Sequence, residues 1–463
     1  MTKSTGRSAA ALCSLHSFFS ETEYRNFLSV LYRFAWGVVR LLSPLLSIGS
    51  SNLARGLSGR RRAHDLLSLW GRTLKDPDRP VVWVHAPSVG EGFQARAVIR
   101  ELRALRPDVQ VVYTFFSPSA EEIARSINAD VATYLPWDLK GPLGCALEEV
   151  APDAVIFTKT EIWPTLVNEA DRRGIPVGMI GAVVTRGSGR MGLLAKMFMK
   201  PSWNALSLAC ANSEEDALAL QSLGVSPRAV KTTGDPGIDS AVYRFRGRDP
   251  QHRWHALLQA DARPTVVAGS TWVSDEDVLL PALVSTRERI TDLRLIVAPH
   301  KPSELSVAKL IERLENDGWW ATTLSRLEDA LAVEELEVSL RPNAIVVDRV
   351  GVLAKLYGLA SVSFVGGGFH GRGLHSVLEP AAAESGVLFG SQHHRARAAG
   401  DLISCGGAVA VQNVEELAEV ITTWLTDEAR RKAAGAASAE YIHSNRGAAL
   451  RSATLLESLL RVK

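Results

Sequence analysis

The stretch "PVVWVHAPSVGEGFQARAVIRELRAL", residues 80–105, decides the fold. Its opening run is continuously apolar and rich in β-branched and aromatic residues, which reads as a strand buried on both faces. A glycine turn follows, and apolar residues then return at helical spacing in Val98, Ile99, Leu102 and Leu105. Strand, turn and helix in that order make half of a βαβ unit. The turn carries one carboxylate, Glu91, with Ser88 and Gly90 beside it. Such a turn offers free backbone N–H groups and room for a ligand, although an acid in the first helical turn also suits the macrodipole.

The same rhythm continues outward. "VQVVYTFF", "DVATYLP", "PDAVIFTKT", "IPVGMIGAVV", "LSLACANS" and "AVKTTGD" read as further strands with helical runs between them, to about residue 239. "AVYRFRGRDPQHRW" is polar and lacks apolar periodicity, so it reads as a linker. A second series then runs through "PTVVAGST", "LRLIVAPH", "GWWATTLS", "AIVVDRV", "SVSFVGGG", "GVLFGS" and "GAVAVQN". The expectation is an α/β chain of two doubly wound domains, with ligands outside the carboxyl ends of the strands. The closing helical segment, "SAEYIHSNRGAALRSATLLESLLRVK", has a pattern that allows it to pack back on the first domain.

Composition narrows the class. A chain of 463 residues exceeds the usual single core, and an apolar fraction of 46% is ample for two. A formal net charge of only +2 argues against a general nucleic-acid binder. Cys13, Cys145, Cys210 and Cys405 lie far apart, so neither a zinc site nor a disulfide framework is indicated, and no metal site is expected at His85, His393 or His394. The opening twenty residues do not read as a signal peptide. After them, Arg25, Ser29, Arg33, Arg40, Ser43 and Ser47 fall on one narrow stripe of an otherwise apolar helix. Two arginines in its middle disfavour a spanning helix and favour one lying in the membrane interface, where Arg55, Arg60, Arg61, Arg62 and Arg72 would meet anionic headgroups.

Candidate chemistry collects at the strand ends. Gly269 and Ser270 close one strand, Pro299, His300 and Lys301 another, and Gly366, Gly367 and Gly368 a third. His375 and Glu379 follow, a carboxylate of the kind that accepts ribose hydroxyls, in an arrangement a nucleotide-binding domain needs. The acidic "DED" at 275–277 reads as an ordinary helix start.

Taken together, "WVHAPSVGE", "YLPWD", "TKTEIWP", "ANSEEDALALQSLGV", "TTGDPGID", "AGST", "APHKPSE", "DRVGVLAKLYGLASVSFVGGG", "GLHSVLEPAA" and "LFG" resemble, in order, the motifs of the transferases that move 3-deoxy-D-manno-octulosonic acid (Kdo) from CMP-Kdo to lipid A precursors. The resemblance implies a GT-B fold, two Rossmann-like domains facing across a cleft, with residues 1–50 as tail and membrane-associating helix, 51–240 as acceptor domain and 241–463 as nucleotide-sugar domain. It implies inverting, metal-independent transfer with no cofactor beyond the donor, at the cytoplasmic face of the inner membrane. Glu91 matches the proton-accepting Glu of the family's S-V-G-E motif, and Glu161 the acid of T-E-T-E-x-W-P that supports the transition state. Ser88, Gly90 and Lys159 fall on the substrate side. Pro299, His300 and Lys301 stand where the family holds CMP, Val350, Gly351 and Val352 in its M-G-E turn, and Ser376, Val377, Leu378 and Glu379 on its N-x-L-E element, with Gly269 and Ser270 on the same side. The chain departs from the family where Gly237 replaces a basic residue, Val183 an arginine, Lys159 an acid and His300 an arginine. Two alternatives stay open: a degenerate homologue that binds nucleotide or lipid without turnover, and a GT-B epimerase acting on a UDP-sugar.

Overall fold

A computed structural model describes residues 21–49, 51–184, 193–246, 255, 258–259, 261–332, 342–371 and 373–460. The chain divides into two compact units, Met1–Gly237 with Gly447–Lys463, and Ile238–Arg446.

The first unit is built on a parallel sheet of β1 (Val81–His85), β2 (Gln110–Phe115), β3 (Val131–Tyr134), β4 (Ala154–Thr158), β5 (Val177–Ala182), β6 (Leu206–Ala211) and β7 (Val230–Thr232). Among the described residues its order is β3-β2-β1-β4-β5-β6-β7. Parallel neighbours require crossover connections, and a helix fills each long one, burying both faces of the sheet. Alternation along β1 shows how the residues do it. Val81 and Trp83 enter one apolar cluster with Leu143, Phe157 and Trp203, while Val82 and Val84 enter another with Ile99, Val111 and Tyr113.

The second unit repeats the plan with β8 (Thr265–Thr271), β9 (Arg294–Pro299), β10 (Ala321–Thr323), β11 (Ala344–Val346), β12 (Val362–Val365), β13 (Val387–Gly390) and β14 (Ala408–Val411). Its order, among the described residues, is β10-β11-β9-β8-β12-β13-β14. In both sheets the winding reverses beside the first strand, between β1 and β4 and between β8 and β12. Those reversals leave a crevice at the carboxyl ends of the strands, the place where open α/β sheets take ligands.

One segment differs from the sequence expectation. The expected linker begins as the helix Pro236–Arg246, because Ile238, Ala241, Val242 and Phe245 recur at helical spacing and pack into the second unit's core. The intervening charges hide that period. After the helix Glu428–Ser444 the chain re-enters the first unit as Ala448–Glu457, whose Ala449, Ala453 and Leu456 complete the core beneath the helix Val89–Leu105.

The N-terminal helix Glu21–Leu46 turns Ser29 and Arg33 of its polar stripe partly toward the body of its unit and leaves Arg40 exposed. The Tyr32 hydroxyl donates to Asp138 at 2.7 Å, and Ser43 is buried. Trp36 packs against Trp137 and Trp163 at 5.9 and 5.7 Å. Phe27, Phe34, Leu41 and Leu45 instead face outward, each more than half exposed. Among the described residues no helix is long and apolar enough to cross a membrane. The basic segment that follows differs from expectation: Arg60 is buried, Arg55 pairs with Glu121, and Arg72 pairs with Glu149. Arg61 and Arg62 are exposed, as are the paired Arg55 and Arg72.

Candidate active site

The first unit gathers its reactive groups at the crevice between β1 and β4. After β1, Ser88 stands extended at the N-cap of Val89–Leu105, which makes Glu91 the third helical residue. Ser88 does not cap the helix backbone; its hydroxyl donates to Glu91 Oε2 instead. From the neighbouring strand end, Lys159 brings Nζ to 2.9 Å from Glu91 Oε1. Lys159 holds a left-handed φ of 57°, unusual for a long side chain, and its N–H donates to Ile180 O at 2.8 Å. A non-glycine residue is kept in that region only where its surroundings over-determine it, and such residues cluster at functional sites.

The electrostatics follow from this geometry. Burial alone would push the Glu91 carboxyl up, but the Lys159 ammonium and the hydrogen bonds from Ser88 and Lys159 outweigh it, holding the group below the ordinary glutamate range. Gly90 is exposed on the same turn. Tyr113 comes up beneath Gly92, its buried hydroxyl lacking a hydrogen-bond partner among the described residues, and burial and Glu91's charge both raise its pKa.

Glu161 sits two residues beyond Lys159, half-buried, and interacts electrostatically with Arg60. Arg60 lies 3.6 Å over the Phe116 ring and donates to Phe116 O at 3.1 Å; burial lowers its pKa to about 10, partly offset by Tyr134 and Glu161. Phe116 stacks on Trp163 at 5.0 Å. Trp163 in turn donates to His85 Nε2 at 3.0 Å, which leaves the His85 proton on Nδ1, facing Thr114 Oγ1 at 3.1 Å. Burial, then the Arg60 charge, pushes His85 down to about 3, so it is neutral. Arg60 is therefore the buried cation of this site. The sequence held its signal, because Ala54, Leu57, Arg60, Ala63, Leu67 and Trp70 share one helix face.

Gly237 has no side chain to offer, and its N–H donates to Asp235 at 2.7 Å. Asp235 also accepts from Gln94 of the Glu91 helix, at 2.9 Å. The cation at this turn is Arg451 of the closing helix, which donates to Thr233 O at 2.8 Å. Arg186 and Arg190, two further cations of the sequence, lie outside the described residues.

In the second unit the crevice between β8 and β12 is lined differently. Gly366, Gly367 and Gly368 are glycines for packing: a Cβ on each would run into the backbone of Ser270, Gly373 and Gly390 respectively. Asp275 holds this loop, accepting from Trp272 N at 2.9 Å, Gly367 N at 2.8 Å and Phe369 N at 3.3 Å. The acidic helix start is thus also the clamp of the glycine turn. A Cβ on Gly269 would meet the buried Tyr357 hydroxyl, and Ser270 adopts a φ of 56°.

His300 stacks between Trp272 and His375, at 4.4 Å from each, and Trp272 donates to His375 Nε2 at 3.0 Å. Burial, then His300 and His370, lowers His375 to about 4. His300, Lys301 and Val350 line one open groove of about 490 Å³ with Asp348 and Arg349. Pro299 ends β9 just before His300, and Gly351 follows Val350 with a φ of 88°. Val352 is half-buried at the following helix start. Ser376 is exposed, while Val377 and Leu378 send their side chains into the core. Glu379 is held by Arg244. Among the described residues no group of three or more His, Cys, Asp or Glu could hold a metal ion.

Residues 63–240 match the family described as 3-Deoxy-D-manno-octulosonic-acid transferase (kdotransferase). The 3-deoxy-D-manno-octulosonic acid transferase of Haemophilus influenzae is 25% identical over 410 residues, 87% of this chain and 92% of that one. The enzyme of the same name from Chlamydia trachomatis is 26% identical over 362 residues, 76% of this chain and 80% of its own. Among solved structures, the UDP-GlcNAc 2-epimerase of Neisseria meningitidis bound to UDP-GlcNAc matches with a TM-score of 0.57 at 13% identity, over 82% of this chain and 99% of that one. The UDP-GlcNAc 2-epimerase of Methanocaldococcus jannaschii gives 0.52 at 14% identity, over 79% and 99%. Identity that low carries the two-domain α/β fold of GT-B type and not the chemistry.

Proposed function

The chain belongs to the Kdo transferase family of glycosyltransferases, and from that premise we propose that it transfers Kdo from CMP-Kdo to a lipid A precursor, with inversion, without a metal, and with Glu91 as general base. The observation that carries this reading is the Glu91 carboxylate at the β1–β4 crevice, ionised and gripped on both oxygens by Ser88 and Lys159.

In the proposed reaction an acceptor hydroxyl attacks the anomeric carbon of Kdo as its proton passes to Glu91, and the bond to the CMP phosphate breaks. One of Glu91's present partners must give way to that hydroxyl. Lys159, with 40% of its side chain exposed, is the partner placed to move, and its ammonium can follow the negative charge of the incoming sugar acid. The buried Arg60 cation interacts electrostatically with Glu161. On the second unit, Lys301 and the His300 ring border the groove that suits the departing phosphate, and no divalent ion is needed where fixed cations stabilise it. The outward apolar face of the helix Glu21–Leu46 supports attachment to the cytoplasmic face of the inner membrane, where a lipid A precursor lies.

A second reading is favoured by Gly237, which stands where the family carries a basic side chain: a homologue that binds CMP-Kdo but does not turn it over. Incubation with CMP-Kdo and a lipid A precursor, read by mass spectrometry, separates the two. Product carrying added Kdo supports the transferase. CMP binding by calorimetry without product supports the second reading, and a preference for UDP over CMP contradicts both.

A further inference from the structure

Beneath the helix Glu21–Leu46 lies a pocket of about 390 Å³ that the proposed reaction does not use. Ser29 and Arg33 line it from the helix, and Lys140, Asn168, Glu169, Asp171 and Arg172 from the body of the unit. Glu169 is already neutralised, by Arg172 at 3.0 Å and Arg173 at 2.6 Å. Arg33 spends only Nε on the carbonyl of Ser29, at 3.1 Å, and neither it nor Lys140 has a carboxylate partner among the described residues. Two uncommitted cations therefore converge on a cavity of ligand size. On the opposite side of the same helix, Phe27, Phe34, Leu41 and Leu45 are exposed together on one apolar face. A helix lying in a bilayer interface keeps its apolar side among acyl chains and its polar side at the depth of the headgroups.

We infer that this pocket binds the phosphate of an anionic glycerophospholipid headgroup, gripped by Arg33 and Lys140, while the lipid's chains lie along the exposed face of the helix. The planar guanidinium suits two phosphate oxygens at once and the lysine adds a point charge. The inference rests on the membrane reading above, but it locates a specific headgroup site where that reading needs only an apolar face.

The test is co-sedimentation of the full chain with phosphatidylcholine vesicles, with and without phosphatidylglycerol. The wild type is expected to prefer the anionic vesicles, and Arg33→Gln with Lys140→Gln to lose roughly tenfold or more of that preference. Arg61→Gln with Arg62→Gln removes the same charge from exposed positions outside the pocket and is expected to lose markedly less. Asn168→Trp, which fills the pocket from an exposed position and keeps both cations, is expected to behave like the first pair. Equal losses for the two double variants would overturn the headgroup site. So would uptake of inorganic phosphate by calorimetry without any vesicle preference. Wild-type binding to neither vesicle would overturn the membrane reading itself, whereas equal binding to both would overturn the headgroup site alone.

Discussion

Glu91 is an acid whose neighbours decide its role. A lone carboxylate in a first helical turn is stabilised by the macrodipole whether or not it does chemistry. Lys159 distinguishes it, because a lysine held at a φ of 57° with its ammonium 2.9 Å from the carboxylate is a costly arrangement for a mere helix start. Since Glu91's pKa is held down in the folded state, the pair contributes stability above the ordinary value of 4.5 and loses it as pH falls through the lower folded value. Lys159→Met removes the charge and leaves burial opposed only by the Ser88 and backbone hydrogen bonds, so the acid limb of kcat/KM should move to higher pH. A pH–rate profile checks this, and an unmoved limb would show that Lys159 does not set the base. Glu91, Ser88 and Lys159 were legible from residue type and motif position. Arg60 was not, because three consecutive arginines look solvated until the helix phase is followed through Leu57, Ala63 and Leu67. Trp272 and Tyr113 were illegible for another reason: their roles depend on partners distant in sequence, such as His375.

At the level of elements, apolar strands announced themselves, and boundaries governed by polar side chains did not. Asp275 satisfies the ordinary expectation of an acidic first turn, yet it also ties down two N–H groups of the Gly366–Phe369 loop, nearly a hundred residues away in sequence. Asp275→Ala would leave the buried Gly367 donor and the part-buried Phe369 donor without that acceptor, at a cost of about 3 kcal/mol. Urea unfolding should register that loss, and an unchanged midpoint would show that the loop holds itself. The helix Glu21–Leu46 gave a clear stripe in sequence but not its direction. Amphipathic helices usually turn their apolar side inward. Here Tyr32 bonded to Asp138, and Trp36 set among Trp137 and Trp163, turn part of the polar stripe inward and leave the broad apolar face outside.

Across the molecule, two doubly wound units could be read from alternating strands and helices, because each buried parallel strand must be continuously apolar. The return of the chain to the first unit at Ala448–Glu457 could only be allowed, since small residues such as Ala449 and Ala453 show a partner only once the opposing helix is in place. One consequence concerns acid. His85 is buried in the first unit with its pKa lowered to about 3, against 6.5 when free, so the unfolded chain binds the extra proton between those values. That unit should lose stability as pH falls from 6.5, and His85→Gln should flatten the dependence; thermal melting across pH measures it, and an identical slope in the variant would assign the loss elsewhere. The function itself rests on Glu91. Its most direct test is single-turnover transfer from CMP-Kdo to a lipid A precursor by the wild type and by Glu91→Ala, with CMP binding measured in both. The expected result is intact CMP binding and a transfer rate lower by roughly 10²–10⁴-fold in the variant. Transfer at the wild-type rate would contradict the assignment of Glu91 as the base.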